Sequence, residues 1–364
     1  MNPKLLLPVM GLLAAAVALS QIQTPARTTG PGVQAGKDSR EPEVLKMCKN
    51  PPQGRGGGGA PKGKGAAPAA KGPAPAAAKP AAAPGPREYT VTAIAGVVAA
   101  GQTWKEVWQV DGNNADGIIA DKKGDLLIAQ NDNSAVVRLD SKGKASVAYK
   151  GTNTGGSVAM SSKGALFVVN RGLNPSVEQL APKRRTLANK YQDDPLDCLG
   201  GVLNDVTADS KGGVYFTNGV VYYADAKGKI TRYGEGINTN GIMLSADEKR
   251  LFVTNGPTLA VFDVQKDGSL TNQREFTRWE GGGGDGSTFD STGRMYVTTN
   301  PGVQVISPDG KNLGMIPTPR GTITVTFGGP DRKTLYAVAR DNAMDRDWII
   351  ALPMIAQGAK PRGK

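Results

Sequence analysis

The stretch NDVTADSKGGVYFT, residues 204–217, decides the fold because its pattern occurs six times along the chain. An apolar strand is followed by a polar turn and then by a second apolar strand. The other copies are DGIIADKKGDLLIA (116–129), GSVAMSSKGALFVV (156–169), NGIMLSADEKRLFVT (240–254), DGSTFDSTGRMYVT (285–298) and TVTFGGPDRKTLYAV (324–338). Repeats of roughly 40–50 residues that hold several short strands are typical of β-propellers. We therefore predict an all-β, six-bladed propeller.

The last repeat has room for only three strands before the chain becomes polar. A strand-like stretch, TWKEVWQV at residues 103–110, precedes the first repeat. We expect it to supply the fourth strand of the last blade, because closing the ring in this way removes an exposed sheet edge.

The chain divides into four regions. Residues 1–20 hold a lysine, an apolar run and small residues in the order typical of a cleaved signal peptide. Residues 21–88, rich in Pro, Ala, Gly and Lys, have too little apolar surface to fold and predict a disordered linker. The propeller is expected over 89–358 and a basic tail over 359–364. The protein should therefore be secreted or periplasmic, unless the first segment remains as an anchor, with no membrane span after signal removal.

Charge and composition exclude several functions. Residues 21–88 hold 11 Lys or Arg against 4 Asp or Glu, so more than half of the formal net charge of +12 lies in the linker. The linker has no aromatic side chain for base stacking, and no nucleic-acid partner is expected. The absence of histidine excludes Ser-His-Asp catalysis and His-ligated zinc. Cys48 and Cys198 either form a bridge from the linker to the propeller or remain separate thiols.

Polar side chains occupy the same position at the start of most repeats. The first strand of each blade lines the channel of a propeller, so these side chains should meet at one mouth. Two carboxylates and two carboxamides among them offer the oxygen ligands that calcium prefers. As an alternative, Asp and Asn at such positions act only as turn residues. The positions are Asp116, Gly156, Asn204, Asn240, Asp285 and Thr324.

The sequence resembles the family of gluconolactonase, regucalcin (senescence marker protein) and luciferin-regenerating enzyme. The resemblance spans residues 107–352 and is strongest in NDVTADSKGGVYFT, NGIMLSADEKRLFVT, GDGSTFDSTGRMYV and FGGPDRKTLY. It implies a six-bladed propeller with a divalent metal, often calcium, in the channel, and hydrolysis of sugar lactones or related esters. Zinc, magnesium and manganese are alternatives to calcium.

The resemblance also implies roles for individual residues. Asn240 and Asp285 match two metal ligands, and Asn204 matches an asparagine beside metal and substrate. The family's first ligand is usually a glutamate in Glu-Gly-Pro, and Asp116 in Asp-Gly-Ile stands in its place. Relatives often carry asparagine where this chain has Gly156. The segment LDCLGGVL, residues 196–203, replaces the basic and aromatic residues of sugar-lactone enzymes, so aldonolactone specificity does not transfer.

Two functions follow from these observations. In the first, a metal held by Asp116, Asn240 and Asp285 polarises the carbonyl of a small lactone or ester. Asp285 then activates water as the base, or a metal-bound hydroxide attacks instead. In the second, the propeller is non-catalytic and binds a ligand or a protein partner, and the metal is structural. We expect a monomer in either case.

Overall fold

The computed structural model describes residues 32–50, 86–341 and 344–359. The predicted signal peptide, linker residues 21–31 and 51–85, propeller residues 342–343 and the last five residues of the predicted tail lie outside this part of the chain. Before the first strand, the described residues form a 3-10 helix, Ala35–Lys37, and a short helix α1, Glu41–Leu45. Within the described residues, no helix combines the length and the apolarity needed to cross a membrane.

Six four-stranded antiparallel sheets make up the propeller. The first strand of the chain, β1, spans Lys105–Asp111 and belongs to the last sheet. Blade 1 is formed by β2–β5 and blade 2 by β6–β9. Their bounds are Ile118–Ala120, Leu126–Gln130, Ala135–Leu139 and Ala145–Lys150, then Gly155–Met160, Leu166–Asn170, Val177–Ala181 and Arg185–Ala188.

The connection from blade 2 to blade 3 holds two short strands, β10 (Lys190–Tyr191) and β11 (Asp194–Pro195), and a 3-10 helix, Leu196–Leu199. Blades 3 and 4 follow as β12–β15 and β16–β19. Their bounds are Val206–Ala208, Val214–Asn218, Val220–Ala224 and Ile230–Tyr233, then Thr239–Leu244, Arg250–Asn255, Thr258–Val264 and Leu270–Arg278.

Blade 5 is formed by β20–β23, and blade 6 by β24–β26 together with β1. The bounds of β20–β23 are Ser287–Phe289, Met295–Thr298, Gly302–Ile306 and Asn312–Pro317. Those of β24–β26 are Thr322–Gly328, Thr334–Asp341 and Arg346–Pro353. The antiparallel pairing of β1 with β26 confirms that the segment before the first repeat completes the last blade.

The recurring polar turn forms because its first side chain caps the turn. Asp121 Oδ1 accepts hydrogen bonds from the backbone N–H groups of Lys123 and Asp125, at 2.8 and 3.1 Å. Asp209 and Asp290 make the equivalent bonds in blades 3 and 5. A short side-chain acceptor therefore fixes the hairpin between the first two strands in these three blades.

The core lies between neighbouring blades. The innermost strand of each blade contacts the innermost strands of both neighbours, which places all six around one channel. Apolar side chains fill the space between the sheets. Tyr296 of blade 5, for example, packs edge-to-face on Phe327 of blade 6 with the ring centroids 4.9 Å apart. Burial of an aliphatic or aromatic side chain of this kind contributes about 1.5–3 kcal/mol.

Residues 32–50, which we call the strap, are folded against the propeller. They belong to the stretch 21–88 for which composition predicts a disordered linker, and that expectation is wrong for residues 32–50. Val44 and Ala35 pack against Leu173 in a small buried cluster. A disulfide joins Cys48 to Cys198, with 5.7 Å between their Cα atoms, and resolves the alternative that composition left open. A small apolar cluster, several hydrogen bonds and one covalent bond hold a segment whose composition alone favours disorder.

Candidate active site

The structure places the predicted polar residues at one mouth of the channel. Asp116, Asn204 and Asp285 each lie two residues before the innermost strand of blades 1, 3 and 5, whereas Asn240 lies within β16 of blade 4. All four are half-buried, so their side chains are fixed by the protein and still reach solvent.

Asp116 is paired with a cation that the sequence analysis did not identify. The guanidinium of Arg171, which follows β7 of blade 2, forms an ion pair with its carboxylate through Nη1. Asn131 Nδ2 donates to the same carboxylate oxygen at 2.9 Å. Arg171 is only 5% exposed, so water screens this pair weakly.

The same arginine reaches blade 3. Its Nη2 donates to the carbonyl oxygen of Asn204 at 2.7 Å and to Asn204 Oδ1 at 3.1 Å. Asn204 Nδ2 in turn donates to Asn240 Oδ1 at 2.6 Å. A continuous polar chain therefore links Asp116, Arg171, Asn204 and Asn240 across four blades.

Gly156 explains why the guanidinium can lie there. A β-carbon built on Gly156 would overlap the Cζ, Nε and Nη1 atoms of Arg171. The position that offers no oxygen to the predicted ring is thus the position that provides space for the arginine. The ring of oxygen donors expected from most of the repeats is interrupted here by a cation.

Asp285 lies with Asn240 in a neighbouring cleft of about 520 Å³. A volume of this order suits a small-molecule ligand. Arg87 and Arg340 also line the cleft, and Gly284 forms part of its wall. A β-carbon on Gly284 would approach the Trp279 ring to 2.7 Å, so only glycine fits between the indole and the cleft.

Two buried carboxylates, Asp205 and Asp347, stabilise the channel mouth by accepting hydrogen bonds from groups around it. Asp205 accepts from Ser157 Oγ at 2.6 Å and from the backbone N–H of Ile242 at 2.9 Å, and so joins blades 2, 3 and 4. Asp347 accepts the backbone N–H groups of the two residues before Asp116, at 2.9 and 2.8 Å. Burial raises the pKa of Asp347 to about 6, despite its ion pair with Arg340.

The residues beside Asp116 do not fit a divalent cation in this arrangement. A divalent ion about 4 Å from the guanidinium would be repelled by roughly 8 kcal/mol at an effective dielectric constant of about 20. That repulsion cancels the attraction of Asp116 at a similar distance. Among the described residues, no three or more His, Cys, Asp or Glu side chains are grouped as metal ligands. The metal set Asp116, Asn240 and Asp285 stays a prediction that the geometry at Asp116 does not support.

Arg171 was not predicted from the sequence, although its position in the repeat pattern indicates a role at the channel mouth. In the repeat alignment Arg171 occupies the position of Asn131 in blade 1 and Asn300 in blade 5, just after the second strand. A long cation at this position coincides with a glycine at the ring position of the same blade. Arg171 and Gly156 both differ from the residues at the same positions of other repeats. Taken together, they predict that the arginine side chain fills the space left by the glycine.

Comparison with known proteins gives a family match over more than half of the chain. Residues 147–340 match the profile described as the SMP-30/Gluconolactonase/LRE-like region. A 6-deoxy-6-sulfogluconolactonase of Pseudomonas putida is 36% identical over 130 residues, covering 32% of this chain and 45% of that protein. A gluconolactonase of Zymomonas mobilis is 23% identical over 216 residues, covering 50% and 59%. The chain thus spans about half the length of these curated relatives.

Solved structures match over most of the propeller. A gluconolactonase from Xanthomonas campestris aligns with a TM-score of 0.60 at 20% identity, covering 76% of this chain and 99% of that one. Regucalcin from Agrobacterium tumefaciens, described as a calcium-binding protein, aligns with a TM-score of 0.59 at 18% identity, covering 71% and 96%. Likeness at this level of identity shows the fold.

Proposed function

The chain belongs to the SMP-30/gluconolactonase/LRE-like family, and from this premise we propose that it hydrolyses a small lactone or a related carboxylic ester. One observation carries the proposal: Asn240 and Asp285 line one cleft at the channel mouth. The lactonase relatives from Pseudomonas putida and Zymomonas mobilis support this reaction class.

We assign the base to Asp285. With no histidine in the chain, a carboxylate is the available group to take a proton from water at neutral pH. Water attacks the carbonyl carbon while its proton passes to the Asp285 carboxylate. The tetrahedral adduct then collapses with cleavage of the ring C–O bond. The proton returns to the departing oxygen, and the product is the open hydroxy acid.

Asn204 and Asn240 are assigned to the substrate side of the site. Their side chains are joined by a hydrogen bond of 2.6 Å, so neither amide can rotate independently. Fixed dipoles beside the reacting carbonyl stabilise developing charge without reorganising during the reaction.

The proposal is tested by measuring hydrolysis of a panel of aldonolactones, aromatic lactones and simple esters by the purified chain. The Asp285→Asn variant keeps the shape of the side chain and removes its basicity. We expect turnover of at least one lactone and a loss of roughly 10²–10⁴-fold in kcat in the variant. Equal turnover by both proteins contradicts the role of Asp285. Turnover of no substrate favours a propeller that binds a ligand without converting it.

We further infer that the protein is exported. The Cys48–Cys198 disulfide supports this, because disulfides form and persist in oxidising compartments and are rare in the cytosol. Cell fractionation with mass analysis of the mature chain tests it. A mature N-terminus near Gln21 is expected in the exported fraction, and an uncleaved chain confined to the cytosol would contradict the inference.

A further inference from the structure

We propose that Arg171 replaces a divalent metal as the resident cation of the channel mouth, and that it turns Asn240 so that amide N–H groups, rather than an oxygen, face the substrate. The second part rests on the proposed hydrolysis, since it assigns an oxyanion donor. The first part concerns cation binding and stands independently of any activity.

The guanidinium of Arg171 is saturated by protein acceptors. Nε donates to the Leu203 carbonyl at 2.8 Å, and Nη1 to Asp116 and, at 3.3 Å, to Asn131 Oδ1. Nη2 donates to both oxygens of Asn204. A guanidinium has five N–H donors, so none remains for a substrate. Arg171 is therefore a positioning residue and not a catalytic one.

Because the guanidinium is saturated, it fixes the polarity of the two asparagines, that is, the directions in which Oδ1 and Nδ2 of each side-chain amide point. Arg171 carries only donors, so Asn204 must turn Oδ1 toward it and Nδ2 away. Asn204 Nδ2 then donates to Asn240 Oδ1, which fixes the second amide in the same way. Within the described part of the chain, Nδ2 of Asn240 donates to no protein group, and Asn240 lines the cleft beside Asp285. Its N–H groups are the donors left for a ligand.

This polarity is the reverse of the one that a metal requires. A hard cation binds the carbonyl oxygen of asparagine, so a metal-binding Asn240 would direct Oδ1 toward the ion. Here Oδ1 accepts a hydrogen bond from Asn204 instead. An amide N–H suits the oxygen that becomes negative when water adds to a carbonyl. Asn240 thus holds the oxyanion while Asp285, neutral after taking the proton from water, returns that proton to the departing ring oxygen and regains its charge when the ring C–O bond breaks.

Calcium titration of the purified wild-type chain and of Arg171→Met tests the proposal. Methionine keeps much of the side-chain volume and removes the charge, which leaves Asp116, Asn204, Asn240 and Asp285 without the competing cation. We expect the wild-type Tm to stay constant with added calcium and metal analysis of the protein to find no bound ion. Arg171→Met should lose stability without calcium and regain roughly 5 °C in Tm at saturating calcium.

The control is Arg294→Ala, which removes a half-buried arginine that is paired with the buried Asp290 away from the mouth. Calcium should leave the Tm of this variant unchanged. Stoichiometric calcium in the wild-type chain, or a calcium-dependent rise of its Tm, overturns the proposal even if the variant does not fold. An Arg171→Met variant that folds and gains no calcium stabilisation overturns it as well.

The rate of ester hydrolysis provides a separate test of the orientation of the Asn240 amide. Wild-type turnover should be unaffected by a chelator. Asn240→Asp keeps the acceptor for Asn204 but removes the N–H donors, and kcat should fall by roughly 10²–10³-fold with little change in KM. A wild-type enzyme that loses activity in chelator and recovers it with calcium contradicts the inference. If the wild-type chain hydrolyses no ester, the proposed function fails, while the calcium titrations still decide the nature of the cation.

Discussion

Gly156 and Arg171 act as a pair, because the missing side chain of one provides the space that the other fills. The arginine is nearly fully buried and compensated by one carboxylate and several carbonyl oxygens. Breaking a buried ion pair by displacing one partner is costly, since the remaining charge stays in a poorly solvated position.

Gly156→Ala should therefore destabilise the protein by about 3 kcal/mol, because the methyl group overlaps the guanidinium and separates it from Asp116. Urea unfolding measures the change. Gly143→Ala is the control, since a β-carbon there meets no atom within 4 Å and only the positive φ of 77° resists the change. A Gly156→Ala variant no less stable than the control would show that the arginine tolerates displacement.

Asp347 gives the site a pH dependence. Its folded-state pKa of about 6 lies above the usual value of 3.8, so the folded protein binds its proton more tightly than the unfolded chain. Stability from this group is therefore full below about pH 4 and is lost as pH rises to about 6, by at most about 1.4 kcal/mol per pH unit. Asp347→Asn should lack this slope in urea unfolding at pH 4, 5 and 6.

Asp263→Asn is the control for that experiment. Hydrogen bonds from Asn272 and Arg274 hold the pKa of the half-buried Asp263 carboxyl below its usual value, the opposite direction from Asp347, so this group does not cause a loss of stability as pH rises. The control should parallel the wild type between pH 4 and 6. If Asp347→Asn also parallels it, the carboxyl titrates near its ordinary value.

At the scale of elements, the strap is held by one covalent bond and a few noncovalent contacts. Its contacts are the small cluster around Val44, the hydrogen bond from Ala35 N–H to the Arg171 carbonyl at 2.9 Å, and the disulfide. The backbone N–H groups of Lys49 and Asn50 also donate to the Asp194 carboxylate, at 3.0 and 3.2 Å. The strap thus supports the loop that carries the buried cation.

Cys198→Ser should lower stability, because the bridge joins residues 150 apart and the chain-entropy estimate for such a loop is roughly 5 kcal/mol. Cys48→Ser and the double variant should show the same Tm, since each removes the same bond. Reductant should lower the Tm of the wild type to that of the variants and leave theirs unchanged. A double variant less stable than either single one would indicate that the sulfurs also act separately.

At the scale of the whole molecule, stability depends on closing the ring. β1 covers the outer edge of β26, where Trp108 lies opposite Ile349 and Gln109 opposite Trp348. Without β1 the sixth blade keeps three strands and exposes an apolar edge that invites pairing with another chain.

A chain that begins at residue 112 should therefore aggregate, whereas one that begins at residue 86 should remain folded, although without its strap. Size-exclusion chromatography and circular dichroism distinguish the two outcomes. The chain that begins at residue 86 is the control for loss of the strap. A folded monomer beginning at residue 112 would show that the ring tolerates an open blade.

The architecture could be predicted because it repeats. Six copies of one pattern predicted the six blades. The incomplete last repeat predicted that β1 closes the ring, and the pairing of β1 with β26 confirms this closure. The cation at the mouth could not be predicted from the ring positions alone. It depends on a residue of another loop, Arg171, whose side chain enters a space that exists only because Gly156 has none. The strap escaped prediction because its composition resembles that of the linker and its main anchor is a covalent bond to Cys198.

The disulfide and the ring closure together alter the topology of the chain. Residue 50 is attached to the propeller through Cys48, and residue 86 leads directly into the body of the propeller. The segment between these two residues is therefore attached to the propeller at both ends. A protease that cuts between residues 51 and 85 would release nothing. The product would be a two-chain molecule that migrates as one band on a non-reducing gel and separates only when the bridge is reduced.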